Sequence, residues 1–204
     1  MNSQQSDQHG TTTIVRRVQE DGSEESWERF VLRYEYVIVE YAIAAGLRPD
    51  QADDLRQSVF VELVKILPTL TIDPNRGSFR SILRTIVKRR TIDLIRLHYR
   101  DADLKAGLSA LSTRNDNPEW DLAWKSGLMR QALSEVAQLV NPDTFQAFEL
   151  TTISGVPAKE VAKLLGMSVD SVYQSKRRVK ASAELHYKRL IDEADGQLDQ
   201  QSNL

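Results

Sequence analysis

The sequence predicts an all-α protein made of two small helical domains joined by a flexible linker, the C-terminal domain being a helix-turn-helix. Apolar residues recur at helical spacing along most of the chain, and no segment shows the alternation typical of a half-buried strand. A polar stretch, residues 101–117, separates two helical regions. Each region contains a basic helical segment, residues 79–100 in the first and residues 168–189 in the second.

Length and composition limit the class of protein. The chain has 204 residues, of which 41% are hydrophobic and 27% charged, and these values are ordinary for a globular protein. It has no cysteine, so disulfides and thiolate metal sites are excluded. No apolar run reaches the ~18–20 residues that span a bilayer, and the N-terminus lacks the pattern of an export signal. We therefore expect a cytoplasmic protein that does not bind a membrane.

The composition changes along the chain in a way that predicts its domain boundaries. Residues 1–22 are rich in Gln, Ser, Thr and Asp, so we expect a disordered N-terminal tail. A first helical domain follows at 23–100, and the linker occupies 101–117. The helix-turn-helix domain takes 118–194, and the polar residues 195–204 form a second disordered tail.

Helical periodicity predicts which side chains form the core. Gly46 and Pro49 separate the first two helices, and Pro68 ends the second. The residues expected to face inward are Trp27, Phe30, Val31, Tyr34, Ile38, Tyr41, Ala42 and Ala45 in the first helix, Ala52, Leu55, Val59, Leu63, Ile66 and Leu67 in the second, Phe79, Ile82, Leu83, Ile86 and Val87 in the third, and Leu122, Leu128, Ala132, Val136 and Leu139 in the helix after the linker.

Charge is segregated along the chain although the formal net charge is only −2. Residues 76–100 hold eight Arg or Lys against one acid, Asp93, and residues 168–189 hold six against two acids. The acids gather elsewhere, mainly at 20–28 and 50–54. Such segregation is typical of proteins that bind nucleic acids, although a single basic run is as often a solvated helix face.

Residues 158–194 have the pattern of a helix-turn-helix. Gly166 can adopt the left-handed conformation of the tight turn, Ala162 allows the two helices to approach closely, and Ser168 is a good N-cap. An αα-hairpin with a basic outer face is the alternative interpretation. Gln and Arg side chains can pair bidentately with adenine and guanine. We predict base contacts from Tyr173, Gln174 and Arg177, and DNA-backbone contacts from Ser171, Lys176, Arg178 and Lys180.

The basic helix of the first domain offers a second surface for a polyanion. Arg80, Arg84 and Lys88 follow one another at intervals of four residues, so they lie on one side of the helix. Such a face can follow a phosphate backbone. On its own, it could equally bind RNA, lipid headgroups or an acidic protein. The basic residues that widen this surface are Arg89, Arg90 and Arg96.

Three motifs occur in order along the chain. They are Asp53-Asp54-Leu55 with Gln57 and Phe60; Phe79-Arg80 with Leu83, Ile86, Ile92-Asp93 and Arg96; and Val161-Ala162 with Leu165-Gly166, Val169, Val172-Tyr173, Lys176 and Arg178-Val179. Together they resemble the extracytoplasmic-function (ECF) group of the sigma-70 family of bacterial transcription initiation factors. The resemblance extends over roughly residues 24–190, and the order and spacing of three motifs make it more specific than a lone helix-turn-helix.

This resemblance implies a factor that binds core RNA polymerase and is not an enzyme. The sequence shows no paired carboxylates, nucleophile triad, metal cluster or phosphate loop, so no catalytic residue, metal site or cofactor is expected. In the family, the second helix holds a basic coiled coil of the polymerase clamp, and the flap is a further polymerase contact. For Asp53, an acidic first helical turn that serves the helix dipole is the alternative interpretation. The residues that match the clamp-binding motif are Asp53, Asp54, Gln57 and Phe60.

The resemblance also assigns the two basic helices to two promoter elements. The helix-turn-helix would read the −35 element as a duplex, and the first basic helix would contact the −10 element as its strands separate. The loop at 71–78 corresponds to the specificity loop of the family, which captures a base rotated out of the stack. A plain connecting turn is the alternative for Asn75. The residues predicted to contact −10 DNA are Asn75, Arg76, Arg80, Arg84, Lys88, Arg89 and Arg96.

Three positions depart from the family pattern. The family usually has Trp at the position of Ile82 and often Asn at that of Arg89. Arginine only donates hydrogen bonds, whereas the amide of Asn both donates and accepts them. We therefore do not expect the base preference of the family at the −10 element to apply to this sequence. Ser58 stands where an acidic residue is common, and we interpret it as a neutral surface serine.

The expected partners are core RNA polymerase and promoter DNA, and the expected location is the cytoplasm, with association to the nucleoid in the holoenzyme. An anti-sigma factor or another regulator is left open as a further partner. One alternative function is a stand-alone helix-turn-helix regulator, which would bind a two-fold DNA site tightly without polymerase. Another is an interaction protein that keeps the fold and titrates a regulator.

Overall fold

The described part of the chain is built from eight α-helices. The computed structural model of the protein describes residues 13–71, 78–98 and 118–195. These residues contain no strand, so the predicted all-α class is confirmed. No candidate membrane-spanning helix is found among them. The helices are α1 Thr13–Asp21, α2 Glu24–Ala44, α3 Pro49–Ile66, α4 Phe79–His98, α5 Pro118–Leu139, α6 Pro142–Phe148, α7 Ala158–Leu165 and α8 Val169–Asp195, with a 3₁₀ turn at Leu67–Thr69 and a π-helical turn at Glu149–Ile153.

Residue contacts divide the chain into two compact units. The first contains the described residues up to Leu128 together with the end of α8 from Glu193, and the second is Met129–Asp192. The boundary therefore falls inside α5, whereas the sequence predicts that the second domain begins at residue 118. The predicted linker, 101–117, lies outside the described residues.

The first unit has an aromatic core centred on α2. The rings of Phe30 and Tyr34 lie 5.6 and 5.2 Å from the ring of Phe79 on α4. From α3, Leu55 and Leu63 are also fully buried. Most of the predicted inward residues of α2, α3 and α4 are buried, and the partly exposed ones are Trp27, Val31, Ala45, Ile66 and Ile82.

The prediction for α5 is wrong at two leucines. Leu122 is 64% exposed and Leu139 is 69% exposed. The buried side carries Trp120 and Trp124, which are 1% and 2% exposed, and also Leu128, Ala132 and Val136, which are buried as predicted. Leu122 is displaced by about 200° around the helix from Trp120, because each residue turns the helix by about 100°. The tryptophans decide which side of the helix is buried, since they offer the largest apolar area.

Aromatic contacts fix the first half of α5 against α2. The ring of Trp120 lies 5.5 Å from Tyr41, and that of Trp124 lies 6.1 Å from Tyr34. One turn beyond Trp124, Gly127 faces the α2 backbone so closely that an added Cβ would be 2.6 Å from the Cα and N atoms of Val37. Only glycine allows this approach without a shift of one helix.

The predicted N-terminal tail is partly helical, which corrects the expectation of disorder for residues 13–21. In α1, Val15 and Val18 are buried in the first unit. The side-chain amide of Gln19 donates to the carbonyl oxygens of Leu67 and Leu70, at 2.8 and 2.7 Å. These carbonyls follow the end of α3, so α1 is held by burial and by hydrogen bonds that a compositional argument does not reveal.

The second unit has two small apolar clusters. In one, Val136 of α5 packs with Phe148 of α6 and Val179 of α8. In the other, Val161 of α7 packs with Val172 of α8. The carboxylate of Glu135 adds a polar link from α5 to α8, with His186 Nδ1 at 2.8 Å and Arg189 Nη2 at 2.5 Å. Together these contacts hold α8 on the rest of the unit.

Candidate nucleic-acid interface

The turn between α7 and α8 has the geometry that the sequence predicts. Gly166 ends α7 in the left-handed conformation, at φ 64°. The Met167 amide donates to the Ala162 carbonyl at 2.9 Å, and the Ser171 amide donates to Ser168 Oγ at 3.1 Å. The turn and the N-cap thus satisfy backbone groups that both helix ends would otherwise leave unpaired.

The outer side of α8 is polar and basic. Val172 and Val179 are fully buried, so the residues between them on the opposite side face solvent. Ser171 is half-buried, and its hydroxyl lies 2.8 Å from Ser168 Oγ, so it takes part in the cap as well. Lys176 is also half-buried. The exposed members of the predicted −35 surface are Tyr173, Gln174, Arg177, Arg178 and Lys180.

Arg80 at the start of α4 is held by α5. Its Nη2 lies 2.7 Å from Asp121 Oδ1, and its guanidinium carbon lies 4.7 Å from the centre of the Trp124 ring. Arg84 and Lys88 are half-buried, and Arg96 is exposed. A phosphate that approaches Arg80 therefore meets a guanidinium whose positive charge is already partly compensated by the Asp121 carboxylate.

Arg89 and Arg90 share a carboxylate on the neighbouring helix. Arg89 Nη2 donates to Glu62 Oε1, and Arg90 Nε donates to Glu62 Oε2 at 2.8 Å. Burial raises the pKa of Glu62, but the hydrogen bonds from the two arginines outweigh this effect and hold the pKa below its ordinary value. The hydrogen bond to Glu62 in turn raises the pKa of Arg89. The Glu62 carboxylate and the Arg89 guanidinium therefore remain charged.

The predicted DNA-binding residues thus fall into three sets. Those of α4 belong to the first unit and those of α8 to the second. Asn75 and Arg76, the predicted lining of a base pocket, lie outside the described residues. Each basic helix is therefore a separate candidate surface.

The predicted polymerase-binding residues lie on α3, and three of the four are exposed. Asp53, Asp54 and Gln57 have exposed side chains. The Asp53 carboxylate accepts from Arg56 Nε at 3.2 Å, so part of its charge is compensated within the helix. Phe60 is different, because its half-buried ring packs edge-on against Phe30 at 6.3 Å. Asp54 and Gln57 are the side chains best placed to meet a partner.

Two valines extend this exposed side of α3 and were missed in the sequence. Val61 is 55% exposed and Val64 is 52% exposed. Their positions continue the series that begins at Asp54 and Gln57, with steps of three and four residues along one helix side. This spacing is present in the sequence, but periodicity alone does not show that two valines on the outer side of a helix are part of a contact surface. We call Asp54, Gln57, Val61 and Val64 the α3 stripe.

The chain was also compared with known proteins. No family model matches it, and no curated protein sequence is significantly similar to it.

Proposed function

We propose that the protein is an ECF-type sigma factor that binds core RNA polymerase and directs it to promoters. The observation that carries this proposal is the distribution of charge over two units. A basic helix-turn-helix surface lies on α8, and a second basic helix, α4, packs in another unit against α3, whose exposed stripe begins with an acid. A regulator that binds only duplex DNA has no need of the second basic helix or of the stripe.

In this proposal, each surface supplies a different part of the binding energy. The outer side of α8 enters the major groove of the −35 element, where Gln174 and Arg177 offer the donors and acceptors that distinguish base pairs. Basic residues of α4 contact the phosphates of −10 strands that are separating, and each such contact releases counterions. The protein itself breaks no covalent bond and requires no cofactor or metal.

The α3 stripe suits a docking role toward polymerase. An acid and an amide followed by two exposed valines provide polar and apolar contact for a basic coiled coil with an apolar seam. Polymerase would then hold α4 next to the DNA that opens. The same proposal places the protein in the cytoplasm and makes an anti-sigma factor or another regulator a further candidate partner.

Charge reversal at Asp54 tests the proposal directly. Run-off transcription with purified core polymerase and a promoter library should give promoter-specific transcripts with the wild-type protein. Asp54→Lys should reduce them by at least about tenfold, because a lysine would face the basic coiled coil in place of an attractive carboxylate.

A matched variant separates this effect from a general change in charge. Glu28 is an exposed acid on α2, so Glu28→Lys makes the same charge change on another helix and should transcribe normally. Specific footprints by the protein alone, without stimulation of core polymerase, would favour the stand-alone regulator and overturn the sigma proposal.

A further inference from the structure

Glu62 holds two arginines of the candidate −10 surface in place. It lies on α3, and its side chain is only 14% exposed, whereas that of Arg89 on α4 is 57% exposed. Each Glu62 oxygen accepts from a different guanidinium, Oε1 from Arg89 and Oε2 from Arg90. A half-buried acid in one helix thus anchors an exposed cation in the next.

The bond to Glu62 orients the Arg89 side chain and uses only part of its hydrogen-bond donors. A guanidinium has five N–H donors in a planar fork, and the bond to Glu62 is made through Nη2. Most of the fork remains available on an exposed side chain. Because Glu62 fixes the long Arg89 side chain before binding, less conformational entropy is lost when the fork meets a ligand.

The carboxylate also makes this place a poor phosphate site. Glu62 adds one negative charge beside Arg89 and Arg90, so the three groups carry a net charge of about +1 rather than +2. A phosphate contact depends mainly on charge and tolerates a mobile cation, whereas a base edge demands direction. Glu62 orients Arg89 and reduces the local positive charge, so Arg89 is better suited to contact a base edge than a phosphate.

We propose that Glu62 is a positioning residue that fixes Arg89 to read a guanine edge in the −10 element. Guanine is the base whose O6 and N7 acceptors match two parallel N–H donors of arginine. The inference rests on the proposed function and deepens it, since it assigns base reading to a position where the related family often has Asn. Arg90 acts in this arrangement as the second clamp on Glu62.

The test is a promoter library randomised over the −10 element and transcribed with core polymerase. The wild-type protein should enrich guanine at one position by about tenfold, and Arg89→Ala should abolish this enrichment. The isosteric Glu62→Gln should reduce it several-fold and leave the other positions unchanged. Arg90→Ala should retain most of it, because Arg89 keeps its bond to the carboxylate.

An exchange variant tests whether the enrichment needs Arg89 itself or only an ion pair between α3 and α4. Glu62→Arg combined with Arg89→Glu restores an ion pair between α3 and α4, so its thermal midpoint should return toward that of the wild type, while the guanine enrichment stays lost. Recovery of the enrichment in this variant, which lacks Arg89, would show that the enrichment comes from the ion pair between α3 and α4 and not from Arg89, and would overturn the proposal. An unchanged enrichment in Glu62→Gln would overturn it as well. The absence of any promoter-specific transcript from the wild type would instead overturn the proposed function, and this inference with it.

Discussion

The two arginines around Glu62 keep its carboxylate ionised in a site where burial favours the neutral acid. The folded state therefore binds a proton at Glu62 less readily than the unfolded chain does. A group with a lowered pKa in the folded state stabilises the fold above its unfolded pKa, and this contribution is lost as the pH falls through the folded value.

Glu62→Gln should consequently lower the free energy of unfolding by about 1–2 kcal/mol near neutral pH. The difference between variant and wild type should shrink as the pH falls from the ordinary glutamate pKa, about 4.3, through the lowered pKa of Glu62 in the folded state, because Glu62 then becomes protonated in the wild type too. Urea unfolding at a series of pH values measures this directly. A difference that does not shrink as the pH is lowered through this range would show that the charge of Glu62 is not what stabilises the site.

Arg177 and Lys176 are neighbours on α8 that should respond differently to truncation. Arg177 is exposed on the outer side, so Arg177→Ala should cost about 1–3 kcal/mol of discrimination at one −35 base pair. Lys176→Ala should weaken binding alike on all sequences and make the salt dependence less steep. Holoenzyme binding to a set of −35 variants at several salt concentrations separates the two effects. If both changes act uniformly, the assignment of base and backbone contacts is wrong.

Individual side chains show where sequence reasoning stops. The exposure of Asp54 and Gln57 followed from helical periodicity. Once the buried positions of α3 are known, the positions on the opposite side of the helix are known too. The contact of Arg80 with Asp121 and Trp124 did not, because it joins residues about forty positions apart in the sequence. Periodicity describes a helix by itself, and such a contact depends on which helix packs beside it.

At the scale of elements, the position of α5 was the hardest feature to predict. The burial of Leu128, Ala132 and Val136 was predicted correctly. The prediction added two leucines that are exposed and omitted Trp120 and Trp124, which are buried. The rings of Tyr34 and Tyr41 on α2 provide the surface against which those tryptophans pack. Nothing within α5 itself indicates this partner. By contrast, the caps and the glycine turn of α7 and α8 are local, and they were predicted correctly.

The close contact of α5 with α2 should make position 127 intolerant of a side chain. Gly127→Ala should destabilise the protein by about 1–3 kcal/mol, because the added Cβ meets the Val37 backbone, which cannot rotate away. This cost has to exceed the gain of about 1 kcal/mol from the better helix propensity of alanine. Ser126→Ala, one residue earlier and only half-buried, is the matched control and should be neutral or slightly stabilising. Equal chemical denaturation curves for Gly127→Ala and the wild type would contradict the close approach.

For the whole molecule, periodicity was sufficient to predict the all-α class. It could not predict that the first unit extends to Leu128, nor that α1 belongs to the core, because both depend on packing between distant segments. The net charge of −2 likewise does not tell by itself whether the protein binds a polyanion. Local fields from α4 and α8 decide where a polyanion can bind, since charges farther away than about 10 Å are largely screened at ordinary ionic strength.

The burial of Trp120 and Trp124 also gives the chain a built-in optical signal. Two of its three tryptophans are shielded from water by α2, and one of them lies beneath the Arg80 guanidinium. Shielded indoles emit at shorter wavelengths than wetted ones, and a nearby cation alters their emission. Intrinsic fluorescence, without any attached dye, can therefore show whether the start of α5 remains packed on α2 when polymerase or DNA is added.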